Sequence, residues 1–200
     1  MLITPLDIPD AHLIEPRVFS DERGAFLEWF RADRLAETLG RQVPIVQANT
    51  SVSARGVVRG IHFADVPLGQ AKYVTVTRGA IVDYVVDLRV GSPTFGQWQG
   101  VELSADNHHA LFLAEGLGHA FVSLADDTSV SYLVTDVFRP EREHAVHPLD
   151  GDLGLDYRMP VGELILSAKD EAAPGFAQAQ EDGLLPTWQD CQQRYRDLAV

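Results

Sequence analysis

Arg59, His62 and Lys72 share one short stretch, "GVVRGIHFADVPLGQAKYV" (residues 56–74), that is otherwise rich in apolar residues and glycine. Each brings a different chemistry. Histidine moves protons, because its unperturbed pKa of about 6.5 lies near neutrality. Lysine is a compact cation suited to an enolate or alkoxide oxygen. Arginine forks onto a phosphate through two parallel hydrogen bonds. Singly, the three are more often a hydrogen-bonded strand histidine, a surface lysine and a salt-bridged arginine. Together they describe a proton-transfer site with a place for an anion. Metal binding is the rival use of such a histidine. Metal-binding β-barrels tend to present two histidines one residue apart on one strand, plus a carboxylate and a distant third histidine. Here position 64 is Ala64, and the adjacent His108 and His109 would point to opposite faces of a strand. His119 alone completes no ligand set, so no metal is expected. One difficulty is geometric. Arg59 and His62 differ by three positions, so a regular strand cannot aim both inward, and Gly60 is where a bulge would re-aim one of them.

The elements that must carry these side chains read as strands. "AKYVTVTRGAIVDYVVDLRVG" alternates over residues 72–77, turns at Arg78-Gly79, and alternates again to about Leu88. "AFLEWF", "VPIVQANTSVS", "GQWQGVELS", "ALFLA", "HAFVSL" and "TSVSYLVTD" are further strand-like runs. Their separators, "GSPTFG", "ADNH", "EGLG" and "ADDT", carry turn residues. Short strands at this spacing predict a closed or sandwiched antiparallel all-β architecture, of which the jelly roll is one. Helix signals are few and lie mostly toward the ends. "ADRLAETLG" stops at Gly40, and "TWQDCQQRYRDLA" starts at Thr187 as N-cap. Trp188, Cys191, Tyr195 and Leu198 fall on one face of that second helix, as a packing stripe. There is no repeat, low-complexity segment or linker. One domain is expected over residues 1–200, with a jelly-roll core at about 23–170 and a helical tail at about 171–200.

The bulk properties narrow the function. A chain of 200 residues with 46% hydrophobic and 22% charged residues is ordinary for a soluble globular protein. A net charge of −13 excludes a general binder of nucleic acid or anionic membrane, whose surfaces attract basic proteins. A basic pocket inside an acidic shell would instead suit a small anionic ligand. Cys191 is the one cysteine, so no internal disulfide forms. The start "MLITPLDIPD" lacks the features of a signal peptide, and no apolar run reaches the ~18 residues of a membrane span. A cytoplasmic protein is expected.

The pieces "VVRGIHF", "GQAKYVTVTRGAIVDYVVDLRVGSPTFGQW", "GLGHAFVSL" and "SAKD", in this order and spacing, resemble the dTDP-4-dehydrorhamnose 3,5-epimerase family of sugar-nucleotide epimerases. The likeness runs from about Arg23 to Asp170, with a compatible tail through "GLLPTW". It implies a cupin-type jelly-roll barrel with a few short peripheral helices, usually a homodimer, acting on a dTDP-4-keto-6-deoxy sugar without metal or organic cofactor. It implies His62 as general base, backed by Asp170, with Lys72 beside the sugar C4 oxygen and Tyr132 as the acid on the opposite sugar face. For the nucleotide it implies Arg23, Phe26 and Glu28, in a segment that tends to reach in from the neighbouring subunit. Gln47 and Asn49 match residues near the thymidine and diphosphate end. Arg59, His119, Glu143 and Lys169 match residues around the diphosphate and sugar. Phe138 stands where the family commonly stacks a tyrosine on thymine; it keeps the stacking face but loses the hydroxyl.

The sequence also departs from the family pattern. Phe63 follows His62 where tyrosine is frequent, and "FADVPLGQAKY" is closer to branches that make antibiotic deoxysugars. Those branches include enzymes that invert only C3 or only C5. Tyr132 argues mildly against a strict C3 enzyme and does not separate a double epimerase from a C5 enzyme. Epimerisation at both C3 and C5 is the expected activity. A single-centre epimerase, a 3,4-ketoisomerase on a similar barrel, and a catalytically silent sugar-nucleotide-binding cupin are the alternatives.

Overall fold

The computed structural model describes residues 1–199. Its strands are β1 (Leu2–Pro5), β2 (Ala11–Glu15), β3 (Val18–Asp21), β4 (Gly24–Leu27), β5 (Gln47–Ser53), β6 (Val58–Ala64) and β7 (Lys72–Arg78). They continue as β8 (Ala80–Val86), β9 (Trp98–Ser104), β10 (Ala110–Leu113), β11 (Gly118–Ser123), β12 (Thr128–Val134) and β13 (Glu143–Ala145). The helices are α1 (Ala32–Leu39), α2 (Ala168–Glu171), α3 (Phe176–Glu181) and α4 (Trp188–Asp197). One sheet has six strands in the order β1-β2-β10-β7-β12-β5, and a second has five in the order β13-β6-β11-β8-β9. Neighbouring strands are antiparallel throughout both. This is the expected all-β jelly roll of cupin type, with a few short helices outside it.

Alternation decides what faces the space between the sheets. In β8, Ile81 and Val85 join the core between the sheets, while Val82, Tyr84 and Val86 pack on the outer face. That outer face is covered by the chain beyond β13, through Val146, Leu153, Tyr157, Ala179 and Leu185. Tyr84 sits edge-on to Trp98 and Tyr157 at 5.8 and 5.3 Å. Each large apolar side chain so buried is worth roughly 1.5–3 kcal/mol. The strand therefore reads "AIVDYVV" because both its faces are covered. Helix α4 closes the other side. Thr187 accepts from the Asp190 amide as N-cap, and Cys191 and Tyr195 are buried in the same apolar cluster as Ile81 and Val85. Gly40 ends α1 in the left-handed conformation, at φ 66°.

Three boundaries differ from the sequence reading. The barrel begins at residue 2 rather than about 23, because β2 pairs with β10 and β1 with β2 in the six-stranded sheet. These strands have only four and five residues and are separated by a turn, so they carry too little alternation to stand out. "AFLEWF" is a strand only as far as Leu27, and it pairs with β3 in a hairpin outside both sheets. Trp29 and Phe30 leave the strand to pack on Tyr73, whose hydroxyl donates to the Trp29 carbonyl. In "VPIVQANTSVS" pairing starts at Gln47, not Val43.

Gly60 resolves the spacing of Arg59 and His62. Opposite β11, His62 pairs with His119 and Arg59 with Phe121, so three steps along β6 match two along β11. The extra residue puts both side chains on the inner face. Gly60 has φ +133°, and a Cβ there would lie 2.4 Å from Ala120 Cβ and 2.6 Å from the His119 carbonyl oxygen. Gly60→Ala is expected to destabilise the fold by about 3 kcal/mol or more, combining backbone strain with overpacking. Urea denaturation measures it; a loss under about 0.5 kcal/mol, the usual range of a surface change, would contradict the bulge.

Candidate active site

Side chains from both sheets line one cavity of about 330 Å³. The six-stranded sheet contributes Gln47, Asn49 and Ser51 at alternate positions of β5, Lys72 at the head of β7, and Tyr132 on β12. The five-stranded sheet contributes Arg59 and His62 from β6, His119 and Phe121 from β11, and Glu143 and His144 from β13. Gln70, Phe138 and Lys169 complete the wall. His62 and Tyr132 thus belong to opposite sheets of the barrel.

The His62 ring is partly open, with 35% of its side chain exposed, and its Nε2 lies 2.7 Å from Asp170 Oδ1. Asp170 is buried at the start of α2 because Ser167 fixes it twice. The Ser167 hydroxyl accepts from the Asp170 amide at 3.1 Å and donates to Asp170 Oδ2 at 2.8 Å. Burial pushes the Asp170 carboxyl up, but hydrogen bonds from His62 and Ser167, with the His62 and Lys169 charges, outweigh it and hold it below its ordinary value. A carboxylate held ionised on one ring nitrogen orients the imidazole and stabilises it when protonated. A second cavity of about 320 Å³ shares Arg59, His62 and Lys169 with the first and reaches Asp170.

Lys72 is buried, at 9% exposure, and desolvation lowers its pKa against a partial opposing effect of Glu143. Its Nζ donates to Gln70 Oε1 at 2.8 Å. Tyr132 is half-buried, and burial raises its pKa, so its hydroxyl keeps its proton across the neutral range. Arg59 donates to Ser53 Oγ at 3.2 Å and to the Val52 carbonyl at 3.5 Å. Both partners are neutral, and among the described residues Arg59 forms no salt bridge. His119, directly opposite His62, bonds the fully buried Asp83. Among the described residues no three His, Cys, Asp or Glu side chains form a metal-ligand cluster.

Of the residues singled out in the sequence, the cavity wall holds His62, Lys72, Tyr132, Gln47, Asn49, Arg59, His119, Phe138, Glu143 and Lys169. Asp170 stands behind His62. Arg23, Phe26 and Glu28 are not there. Arg23 and Phe26 lie on the exposed β3–β4 hairpin, where Arg23 binds Asp21, and Glu28 follows it and meets Arg31. Sequence reading passed over Asp83, Gln70, His144 and Ser167. Asp83 had a legible signal, a lone carboxylate in the apolar run "AIVDYVV". Ser167 had one too, as a serine three residues before Asp170. His144, bonded to Asp65 and stacked near Phe63 at 5.5 Å, had none.

An inward-facing jelly roll with a carboxylate-backed imidazole, a buried ammonium and a tyrosine across the cavity defines a proton-transferring enzyme of the cupin class. The dTDP-4-dehydrorhamnose 3,5-epimerase family model matches residues 5–178, and the chain belongs to that family. It is 52% identical to a dTDP-4-dehydrorhamnose 3,5-epimerase of Mycolicibacterium smegmatis, over 96% of this chain and 94% of that one. It is 50% identical to a dTDP-4-dehydrorhamnose 3-epimerase of Streptomyces niveus, over 96% and 92%. Among solved structures, the rmlC epimerase of Mycobacterium tuberculosis superposes with a TM-score of 0.96 at 40% identity, covering 99% of this chain and 100% of that one.

Because Asp170 is depressed in the folded state, its stabilising effect is complete above the unfolded value of about 3.8 and is lost as pH falls through the folded value. Asp170→Asn is therefore expected to destabilise by about 1–3 kcal/mol at pH 7, with the difference from wild type shrinking towards pH 3. Thermal denaturation across that range measures it, and a pH-independent difference would contradict an ionised Asp170.

Proposed function

We propose that this protein epimerises a dTDP-4-keto-6-deoxyhexose at C3 and C5 by proton transfer alone. The observation that carries the reading is the entry of His62 and Tyr132 into one cavity from opposite sheets. A 4-keto group acidifies the hydrogens on C3 and C5, so a single base removes either. His62 takes the proton from carbon, and the electron pair moves onto the C4 oxygen. Lys72 meets the negative charge that develops there. Tyr132 returns a proton to the carbon from the other face, and the centre is inverted. Asp170 stabilises the imidazolium formed on His62. For the next centre, His62 loses its proton to solvent and Tyr132 regains one.

Arg59 and Lys169 are the cations for the diphosphate, with Gln47 and Asn49 beside them. His119 and Glu143 contact the sugar end, and Phe138 stacks on the base. Arg23, Phe26 and Glu28 act in the site of a second copy. The support is that Arg23 and Phe26 lie on a hairpin outside both sheets, with Glu28 just after it and Phe26 67% exposed. The active unit is then a homodimer with shared sites. A single-centre reading has its own support, since one relative at 50% identity is named a 3-epimerase.

Tyr132→Phe separates proton removal from inversion. In D2O, with C3 and C5 followed by proton NMR, the variant is expected to take up deuterium with the original configuration retained. Its inverted product should fall about 100-fold, within the usual range for a general acid. Wild-type protein should invert both centres; inversion of one supports the single-centre reading. A variant that inverts as fast as wild type would remove Tyr132 from the acid role.

A further inference from the structure

An ammonium inside a barrel needs acceptors in place of water, and the side chain that supplies one to Lys72 has no part in the proton transfers above. The bond from Lys72 Nζ to Gln70 Oε1 is 2.8 Å. The Gln70 amide is held from its other end. Its Nε2 donates to the Asp136 carbonyl oxygen at 3.0 Å and to Glu143 Oε1 at 3.2 Å. A carbonyl and a carboxylate only accept. Turning the amide over would therefore set oxygen against oxygen twice and point its NH2 at an ammonium, so the network admits one orientation. The backbone is fixed as well. Between Gln70 and Lys72, the Ala71 amide donates to Thr135 Oγ1 at 2.8 Å, and the Thr135 amide donates back to the Ala71 carbonyl at 3.3 Å. Residues two apart at the head of β7 face the same way, and both line the cavity.

We propose that Gln70 is a positioning residue for enolate stabilisation: its carbonyl holds the Lys72 ammonium charged and aimed, and its neutral amide keeps the Glu143 carboxylate one group away. The inference rests on the reading of Lys72 as partner of the enolate oxygen. A carboxylate in direct contact would keep the ammonium charged but spend its field on an ion pair. An apolar residue would leave a desolvated cation without that acceptor, which favours loss of its proton. A neutral acceptor avoids both. The other charged and titratable groups facing this space are Glu143 and His144 on β13, Arg59 and His62 on β6, His119 on β11, Tyr132 on β12 and Lys169 on α2. Burial lowers the pKa of Lys72 and raises that of Tyr132, and the alkaline limb that responds to substitution of Gln70 is the one assigned to Lys72.

The test is the pH dependence of substrate proton exchange in Gln70→Leu and Gln70→Glu, with enzyme-free exchange subtracted and dTDP affinity measured by calorimetry. Both variants are expected to lose about tenfold or more in kcat, the scale of one hydrogen bond to a charged group, and to bind dTDP within about twofold of wild type. The alkaline limb should move down in Gln70→Leu and up in Gln70→Glu. A purely structural role would not move the limb in opposite directions. Gln70→Glu sets a carboxyl oxygen against the Asp136 carbonyl and Glu143, so thermal denaturation checks the fold of each variant. Gln70→Met, which fills similar space without the carbonyl acceptor, is expected to move the limb as leucine does and keeps the test open should the leucine variant misfold. Unchanged kcat, or limbs of Gln70→Leu and Gln70→Glu moving the same way, would overturn the proposal. Lys72→Met distinguishes the two levels. If it exchanges at the wild-type rate, the Lys72 assignment falls and the Gln70 role with it; if it is inactive while the Gln70 variants match wild type, only the Gln70 role falls.

Discussion

An ammonium group stays charged inside a protein where its partners replace the water it has lost. Lys72 heads a strand whose next inward residues, Val74 and Val76, are buried in the apolar core. The barrel interior therefore changes from apolar to polar within one strand, and Lys72 stands at the polar end. Gln70 meets the ammonium, Glu143 stands behind Gln70, and Tyr132 lies on the neighbouring strand. The apolar end matters equally, because it keeps the cavity low in dielectric and strengthens each of these contacts. In an acidic chain of net charge −13, local pairing rather than overall field makes this one cavity attractive to an anion.

The same two-sheet architecture supports chemistry on two faces of one ligand. Strands β6 and β12 sit in different sheets, so side chains pointing inward from each approach the space between them from opposite sides. Inversion at carbon needs that arrangement and little more. The histidine side is the better braced. His62 is held by Asp170, which is held by Ser167, and the segment carrying both arrives 108 residues later in the chain. Docking of that segment therefore completes the His62–Asp170 pair, and the geometry of β6 alone does not.

Much of this was legible in the sequence because strand period and cavity lining are one pattern. Gln47, Asn49 and Ser51 alternate with exposed Ala48, Thr50 and Val52, as a half-buried strand requires. The conflict between Arg59 and His62 was legible as a conflict, with Gly60 marking its solution. Other features were not. Strands β1 and β2 are too short to show a period, and Trp29-Phe30 looked like strand because aromatic residues favour strands and packing sites alike. Gln70 could not be found from spacing, since a glutamine beside a glycine-containing loop is ordinarily solvated. Its role comes from Asp136 and Glu143, which are distant in sequence. Arg23 and Phe26 on the hairpin, and Glu28 just after it, stay apart from the cavity of their own chain; strand period carries no sign of this, and only the family resemblance assigned that segment to a neighbouring subunit.

The central claim is that one carboxylate-backed imidazole begins the reaction at carbon. It is tested most directly by substrate proton exchange with D2O in His62→Ala, followed at C3 and C5 by NMR, with dTDP binding measured on the same protein. The expected result is loss of enzyme-dependent exchange at both carbons while dTDP still binds. Exchange at the wild-type rate at either carbon would contradict it, and the base for that carbon would then have to be another group lining the cavity.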